Sequence, residues 1–159
     1  MTRLPTLGPR GEGWVVIQFL LLGFIFLAGI AGGGGWTRET RFATTVLAAF
    51  LLLVGGVLAL KGLIDLRDAL TPLPHPRDGA QLVESGSYRL VRHPIYGGLV
   101  IGSVGWALLA ASLLALLGAA ALLVFFRLKS EREEAWLAER YPGYDAYRAR
   151  TKRMIPFVY

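Results

Sequence analysis

The side chains best suited to chemistry in this 159-residue chain fall in two short stretches. The first runs from Gly86 to Gly98 and sets Tyr88, Arg89, Arg92, His93 and Tyr96 against a hydrophobic run that begins at Leu99. Pro94 suits the first turn of a helix, where its missing N–H costs nothing. The free N–H groups of such a helix start favour a carboxylate or another anionic group. His93 and Tyr96 would project from that same turn, and both can hydrogen-bond a ligand. Polar groups clustered at an apolar boundary are the pattern of a binding pocket. His75, isolated among prolines, reads as structural. The second stretch, Arg127 to Arg140, reads as an amphipathic helix carrying Glu131, Glu133 and Glu134. Glu131 reads as a solvated acid that complements the helix dipole. Glu133 and Glu134 point in different directions, so at most one side of the helix can serve both a ligand and packing. Trp136 and Leu137 form an apolar stripe able to lie on a membrane or close over the preceding segment. Arg127 stands where an apolar run ends, and snorkelling to headgroups explains it without any catalytic role.

The elements that must position these residues are lipid-like. Hydrophobic residues make up 54% of the chain and mean hydropathy is +0.50, high for a soluble domain. They cluster in blocks with almost no charge, which predicts an all-α integral membrane protein forming a single domain over residues 1–159. The absence of cysteine excludes disulfides, thiolate metal sites and a cysteine nucleophile. The net charge of +6 comes from basic residues flanking apolar blocks, which suits anionic lipid headgroups rather than nucleic acid.

About four transmembrane spans are predicted, near residues 14–31, 42–60, 96–111 and 112–128. Trp14 opens the first at the interface, and the glycines from Gly32 to Gly35 end it. A signal peptide is the competing reading of this segment, but the run is long for one and a second apolar block follows closely. Lys61, Asp65, Arg67 and Asp68 continue the second span beyond the bilayer at helical spacing. Pro72, Pro74 and Pro76 then break any helix. The charge-free run from Tyr96 is too long for one span and short for two, so a helical hairpin turning near Ala111-Ser112 is expected. Its halves would reach about 24 Å each, short of a hydrocarbon core of about 30 Å. Gly98, Gly102 and Gly105 share one face, for close helix packing or, at Gly98, to make room for a ligand. Tyr144 to Lys152 forms a further short helix. Four spans leave only Arg38 and Arg41 on one side and the other 15 of the 17 basic residues opposite. The positive-inside rule then places both termini and the Gly86–Gly98 stretch in the cytoplasm, with a bacterial inner membrane as the expected setting.

The ordered set Gly86, Tyr88, Arg89, Val91, Arg92, His93, Pro94, Tyr96 and Gly98, then Glu133, Glu134 and Leu137, then Tyr141, Pro142, Tyr144, Tyr147, Arg153 and Pro156 resembles the isoprenylcysteine carboxyl methyltransferases. Related membrane methyltransferases acting on phospholipid amines share much of it. The resemblance covers roughly residues 80–159, and the first half carries no motif that matches. It implies S-adenosylmethionine as methyl donor, held between the His-Pro-x-Tyr segment and the Glu-Glu helix. The implied cofactor-binding set is Tyr88, Arg92, His93, Pro94, Tyr96, Gly98, Leu137 and the Glu133–Glu134 pair, of which one glutamate completes the pocket. Arg127 resembles the family's acceptor-holding arginine and, with Glu133, forms the expected catalytic pair. The acceptor would be hydrophobic or lipid-linked, reaching the site through the bilayer. A carboxylate acceptor would need only orientation, by Arg127 or Arg89, whereas an amine would need His93 or a glutamate as base. Two other readings share features of the sequence. Sterol-type membrane reductases have a similar C-terminal motif and bind a nicotinamide cofactor, but Leu99 stands here where an acidic residue often follows the Tyr-x-Gly segment. A non-catalytic membrane scaffold would not require the intact polar set.

Overall fold

The computed structural model describes residues 5, 7–34, 36–71, 73, 75, 79 and 81–156, with only the backbone of Asp68. The readings of Gly35, of Pro72, Pro74 and Pro76, and of the last three residues lie outside this set. The described residues are all-helical, with α1 (Glu12–Ala31), α2 (Arg38–Leu66), α3 (Pro94–Leu109), α4 (Leu113–Arg140) and α5 (Tyr144–Arg150). Single 3-10 turns lie at Arg67–Ala69 and Gly86–Arg89. α1, α2 and α4 are each long and apolar enough to cross a membrane, and α3 is a shorter apolar helix. Large apolar side chains face outward along α1 and α2, among them Leu20, Leu27, Phe42 and Leu53. Such a surface is stable only against lipid, so this is an integral membrane protein.

Local sequence explains where the helices begin and end. α1 stops at Gly32, whose N–H bonds back to the Ala28 carbonyl. Thr37 accepts a hydrogen bond from the Thr40 N–H and starts α2 ahead of the expected residue 42. α2 then carries Lys61 and Asp65 on to Leu66, but Arg67 and Asp68 do not continue it, because Arg67 takes φ 44° and opens the 3-10 turn Arg67–Ala69. The hairpin turns where expected: Ala111 adopts φ 52°, and Ser112 caps α4 while donating to the Ala28 carbonyl at 2.8 Å. The separate amphipathic helix expected at Arg127–Arg140 is instead the far end of one 28-residue helix that begins in the hairpin. No glycine or proline interrupts residues 119–141, so nothing stops α4 before Tyr141-Pro142.

Glycines set how closely α2 and α3 approach. A Cβ on Gly98 would stand 2.5 Å from the Gly55 carbonyl and 2.6 Å from the Ala59 nitrogen. A Cβ on Gly55 would similarly stand 2.6 Å from Gly102 backbone. The small-residue face therefore serves helix packing. On the other side α1 lies against α4, where Trp14 meets Phe125 at 5.6 Å between ring centroids. Trp106 of α3 donates to the Ile25 carbonyl of α1 at 3.2 Å.

The chain after α5 returns to the Gly86–Gly98 stretch. Arg92 N–H donates to the Lys152 carbonyl and His93 N–H to the Arg153 carbonyl, both at 2.9 Å. Gly97 admits this returning strand, since a Cβ there would collide with the Met154 carbonyl. At the other end of the stretch, Ser87 donates twice to the Asp65 carboxylate, at 2.6 and 2.8 Å. The segment is thus anchored to α2 on one side and to the C-terminal chain on the other.

Candidate functional site

His93 is the residue just before α3, held by its backbone at the point where the C-terminal chain crosses. α4 reaches it by running straight out of the hairpin. Two consecutive glutamates on α4 straddle the imidazole: Glu133 lies 3.4 Å from Nδ1 and Glu134 lies 3.1 Å from Nε2. Adjacent residues on a helix, about 100° apart, can grip both edges of one ring because the ring lies between their two directions. The two glutamates do point in different directions, Glu133 to the cavity and Glu134 to Arg92 and Arg153, and both contact His93. Burial opposes charge on His93, but the hydrogen bonds and negative charges of Glu133 and Glu134 outweigh it and raise its pKa above 6.5.

Behind His93, Glu134 collects cations. Arg92 Nε lies 3.0 Å from Oε1 and Arg153 Nη2 lies 3.6 Å from Oε2. Arg92 also donates through Nη1 to the Arg148 and Thr151 carbonyls, which fastens α5 and the returning chain to the site. In front, Tyr96 stacks between His93 (5.4 Å, 4°) and Phe126 (4.3 Å, 7°), and its hydroxyl donates to Glu133. Lys129 Nζ sits 5.0 Å over the Tyr96 ring and donates to Gln18 Oε1 of α1 at 2.6 Å.

These groups border a cavity of about 350 Å³, within the roughly 300–1,000 Å³ of small-molecule and cofactor sites. One part of its wall is polar: Tyr88, Arg92, His93, Tyr96, Glu133, Lys129 and Gln18. Another is aliphatic, from Leu63 and Leu66 at the end of α2, Leu70, Leu73, Leu82 and Val83 of the connection, and Leu137. Tyr141, Tyr144 and Tyr147 complete it. Tyr147 is committed to the Tyr88 carbonyl at 2.7 Å, whereas the buried Tyr144 hydroxyl has no hydrogen-bond partner among the described residues. Burial pushes the Tyr144 pKa upward, so this is a neutral phenol. A mainly apolar chamber with a cluster of polar and charged groups in its wall suits an amphipathic ligand set.

A family model for phospholipid methyltransferases (PEMT) matches residues 43–143, well over half of the chain. The chain belongs to the phospholipid methyltransferase family. It is thereby a membrane methyltransferase by family, and the match reaches back through α2 into the half that showed no motif. No curated protein matches the chain.

In this phospholipid methyltransferase family member, Tyr88, Arg92, His93, Tyr96, Glu133 and Leu137 all line the cavity. The other assignments shift. Gly98 packs on Gly55 and Ala59 rather than opening space for a ligand, because its face of α3 is turned to α2. Pro94 is buried beside Gly62 and starts the helix without joining the wall. Glu134 stands behind His93 and orders the site indirectly. Arg127 is 56% exposed, pairs with Glu131 at 3.4 Å and lies off the cavity. Helix phase is the reason. Lys129 is four residues before Glu133 and shares its face, whereas Arg127 is six residues before it and points elsewhere. Glu131 is ion-paired to Arg153 at 3.1 Å rather than simply solvated, and Arg89 is exposed. Lys129, Gln18 and Tyr144, outside the set that the motif implies, also line the cavity. A lone polar side chain inside an apolar span was the available signal for Gln18.

Proposed function

We propose that this protein transfers the methyl group of S-adenosylmethionine to a hydrophobic or lipid-linked acceptor at the cytoplasmic edge of the membrane. The observation that carries the reading is the mixed lining of the cavity, in which His93, Tyr96 and Glu133 are brought together with aliphatic residues from α2 and the following connection. When bound, S-adenosylmethionine supplies an electrophilic methyl group on a sulfonium. Tyr88, Arg92, His93, Tyr96, Glu133 and Leu137 would hold it, with the Tyr144 hydroxyl available to its polar groups.

The chain's own residues contribute position more than proton transfer. Glu133 is fixed by His93 and the Tyr96 hydroxyl, so its carboxylate needs no reorganisation on binding. With both ring nitrogens of His93 engaged by carboxylates, the imidazole orients Glu133 and has no free nitrogen to serve as a base. A strongly stabilising carboxylate at the sulfonium would favour the ground state, whose charge is lost in transfer. Glu133 therefore serves the nucleoside or amino-acid portion. Lys129, on Glu133's face and over Tyr96, takes the acceptor-orienting role expected of Arg127. Leu63, Leu66 and Leu70 offer an apolar approach for an acceptor arriving from lipid.

The test is titration of detergent-solubilised protein with S-adenosylhomocysteine and, separately, NADPH, followed by mass spectrometry of lipids after supply of isotopically labelled methyl donor. Micromolar S-adenosylhomocysteine binding and a labelled lipid product support the reading. Selective NADPH binding, as in a sterol-type reductase, would overturn it.

A further inference from the structure

The connection from α2 to the Gly86–Gly98 stretch is the longest in the chain, and Leu70, Leu73, Leu82 and Val83 from it line the cavity. Long connections with little regular structure are usually functional, and holding their ends together costs chain entropy that some contact must offset. Here the two ends meet at one side chain. Asp65, on the last turn of α2, accepts from the Ser87 N–H at 2.6 Å and from the Ser87 hydroxyl at 2.8 Å, both on Oδ2. The backbone is shaped around this carboxylate: Gly86 takes φ 62°, in the left-handed region, and a Cβ there would collide with the Asp65 side chain. Ser87 passes the hold forward, since its carbonyl accepts the Leu90 and Val91 N–H groups at 3.1 and 3.2 Å. Between them stands Tyr88, buried in the cavity wall, with its carbonyl bonded by Tyr147. Arg92 and His93 have backbone holds of their own, on the Lys152 and Arg153 carbonyls. Asp65 thus bears on the Tyr88 end of the polar cluster, and the C-terminal chain on the His93 end. The same turn of α2 gives Leu63 and Leu66 to the cavity, whereas Asp65 and Gly86 stand outside its wall.

Resting on the methyltransferase reading above, in which Tyr88 helps to hold the cofactor, we propose that Asp65 is a positioning residue of the cofactor site, acting through Ser87 to fix Tyr88 in the cavity wall. Hydrogen bonds to an ionised acceptor are stronger than neutral ones, and two from one residue fix its backbone and its side chain together. A wall residue fixed beforehand meets its ligand without an ordering cost. A side chain that touches no ligand thereby contributes to affinity.

The experiment measures S-adenosylhomocysteine affinity by titration calorimetry on full-length protein in phosphatidylcholine nanodiscs, at a temperature below the unfolding transition of every variant. Asp65→Ala should weaken binding about tenfold, and Asp65→Asn, which keeps a neutral acceptor, should weaken it less. Ser87→Ala loses the hydroxyl bond but keeps the backbone one, so its affinity should lie between those of wild type and Asp65→Ala. Because Asp65 acts through Tyr88, adding Asp65→Ala to Tyr88→Leu should cost less than about twofold further. A contact that served stability alone would lower Tm and leave the affinity of the folded protein unchanged. Affinity within about twofold of wild type in Asp65→Ala, or losses that multiply in the double variant, therefore overturns the proposal. Should Asp65→Ala not fold, Ser87→Ala decides: a several-fold loss supports the proposal and unchanged affinity overturns it. Failure of wild type to bind S-adenosylhomocysteine at all would instead remove the methyltransferase reading beneath it.

Discussion

Replacing Glu134 by alanine should damage the fold more than any other single change at the site. The carboxylate is 4% exposed and receives Arg92 at 3.0 Å, His93 at 3.1 Å and Arg153 at 3.6 Å. Removing it leaves the 8%-exposed Arg92 and the buried His93 without this counter-charge. Breaking a buried ion pair from one side costs about 3–5 kcal/mol, because the remaining charge stays desolvated. Total stabilities are about 5–15 kcal/mol, so the loss is a large fraction of the whole. At about 2–4 °C per kcal/mol for a chain of this size, Tm should fall by roughly 6–20 °C. The substitution Glu134→Gln keeps one accepting oxygen in the same place, so its Tm should lie between those of the alanine variant and wild type. The assay is thermal unfolding in detergent followed by intrinsic tryptophan fluorescence. A Glu134→Ala Tm within about 2 °C of wild type would refute the assignment of Glu134 as the charge that holds Arg92, His93 and the C-terminal chain together. Glu133→Gln, on the cavity side, should instead weaken S-adenosylhomocysteine binding by roughly tenfold with a smaller loss of Tm.

His93 has a raised pKa in the folded protein, so its contribution to stability is fully present below about pH 6.5 and is lost as pH rises through the folded value. Denaturation midpoints should therefore decline as pH rises above about 6.5, and His93→Gln should flatten that decline; an unchanged slope in the variant would disprove the link. Gly98→Ala should lower stability through overpacking by about 1–3 kcal/mol, read as a lower Tm, since its methyl would meet backbone of α2 at 2.5–2.6 Å. Full wild-type stability in Gly98→Ala would mean that α2 and α3 are not in this close register. Lys129→Ala should raise the KM for the acceptor by about tenfold or more, whereas Arg127→Ala, on the exposed side of α4, should change it less than about twofold. Steady-state kinetics with labelled methyl donor measures both, and a larger effect from Arg127 would reverse their assignment.

What the sequence determined by itself was everything that depends on local composition and spacing. Apolar block length marked the helices, Gly32 and Ser112 marked their ends, and the ordered polar motif marked where a site would form and which family it resembled. The His93–Tyr96 segment and the Glu133–Glu134 pair were legible because each is contiguous in the chain. Tertiary structure decided what depends on helix phase and on which faces meet. Gly98 and Arg127 carry the right residue types for a site, but the rotation of α3 turns Gly98 into α2 and that of α4 turns Arg127 outward. The same rotation brings Lys129 inward to meet Gln18, 111 residues away in the chain. No local rule pairs an amide in the first helix with an ammonium in the fourth; only packing α1 against α4 puts the two at hydrogen-bond distance, because burying that lysine requires acceptors and Gln18 supplies one.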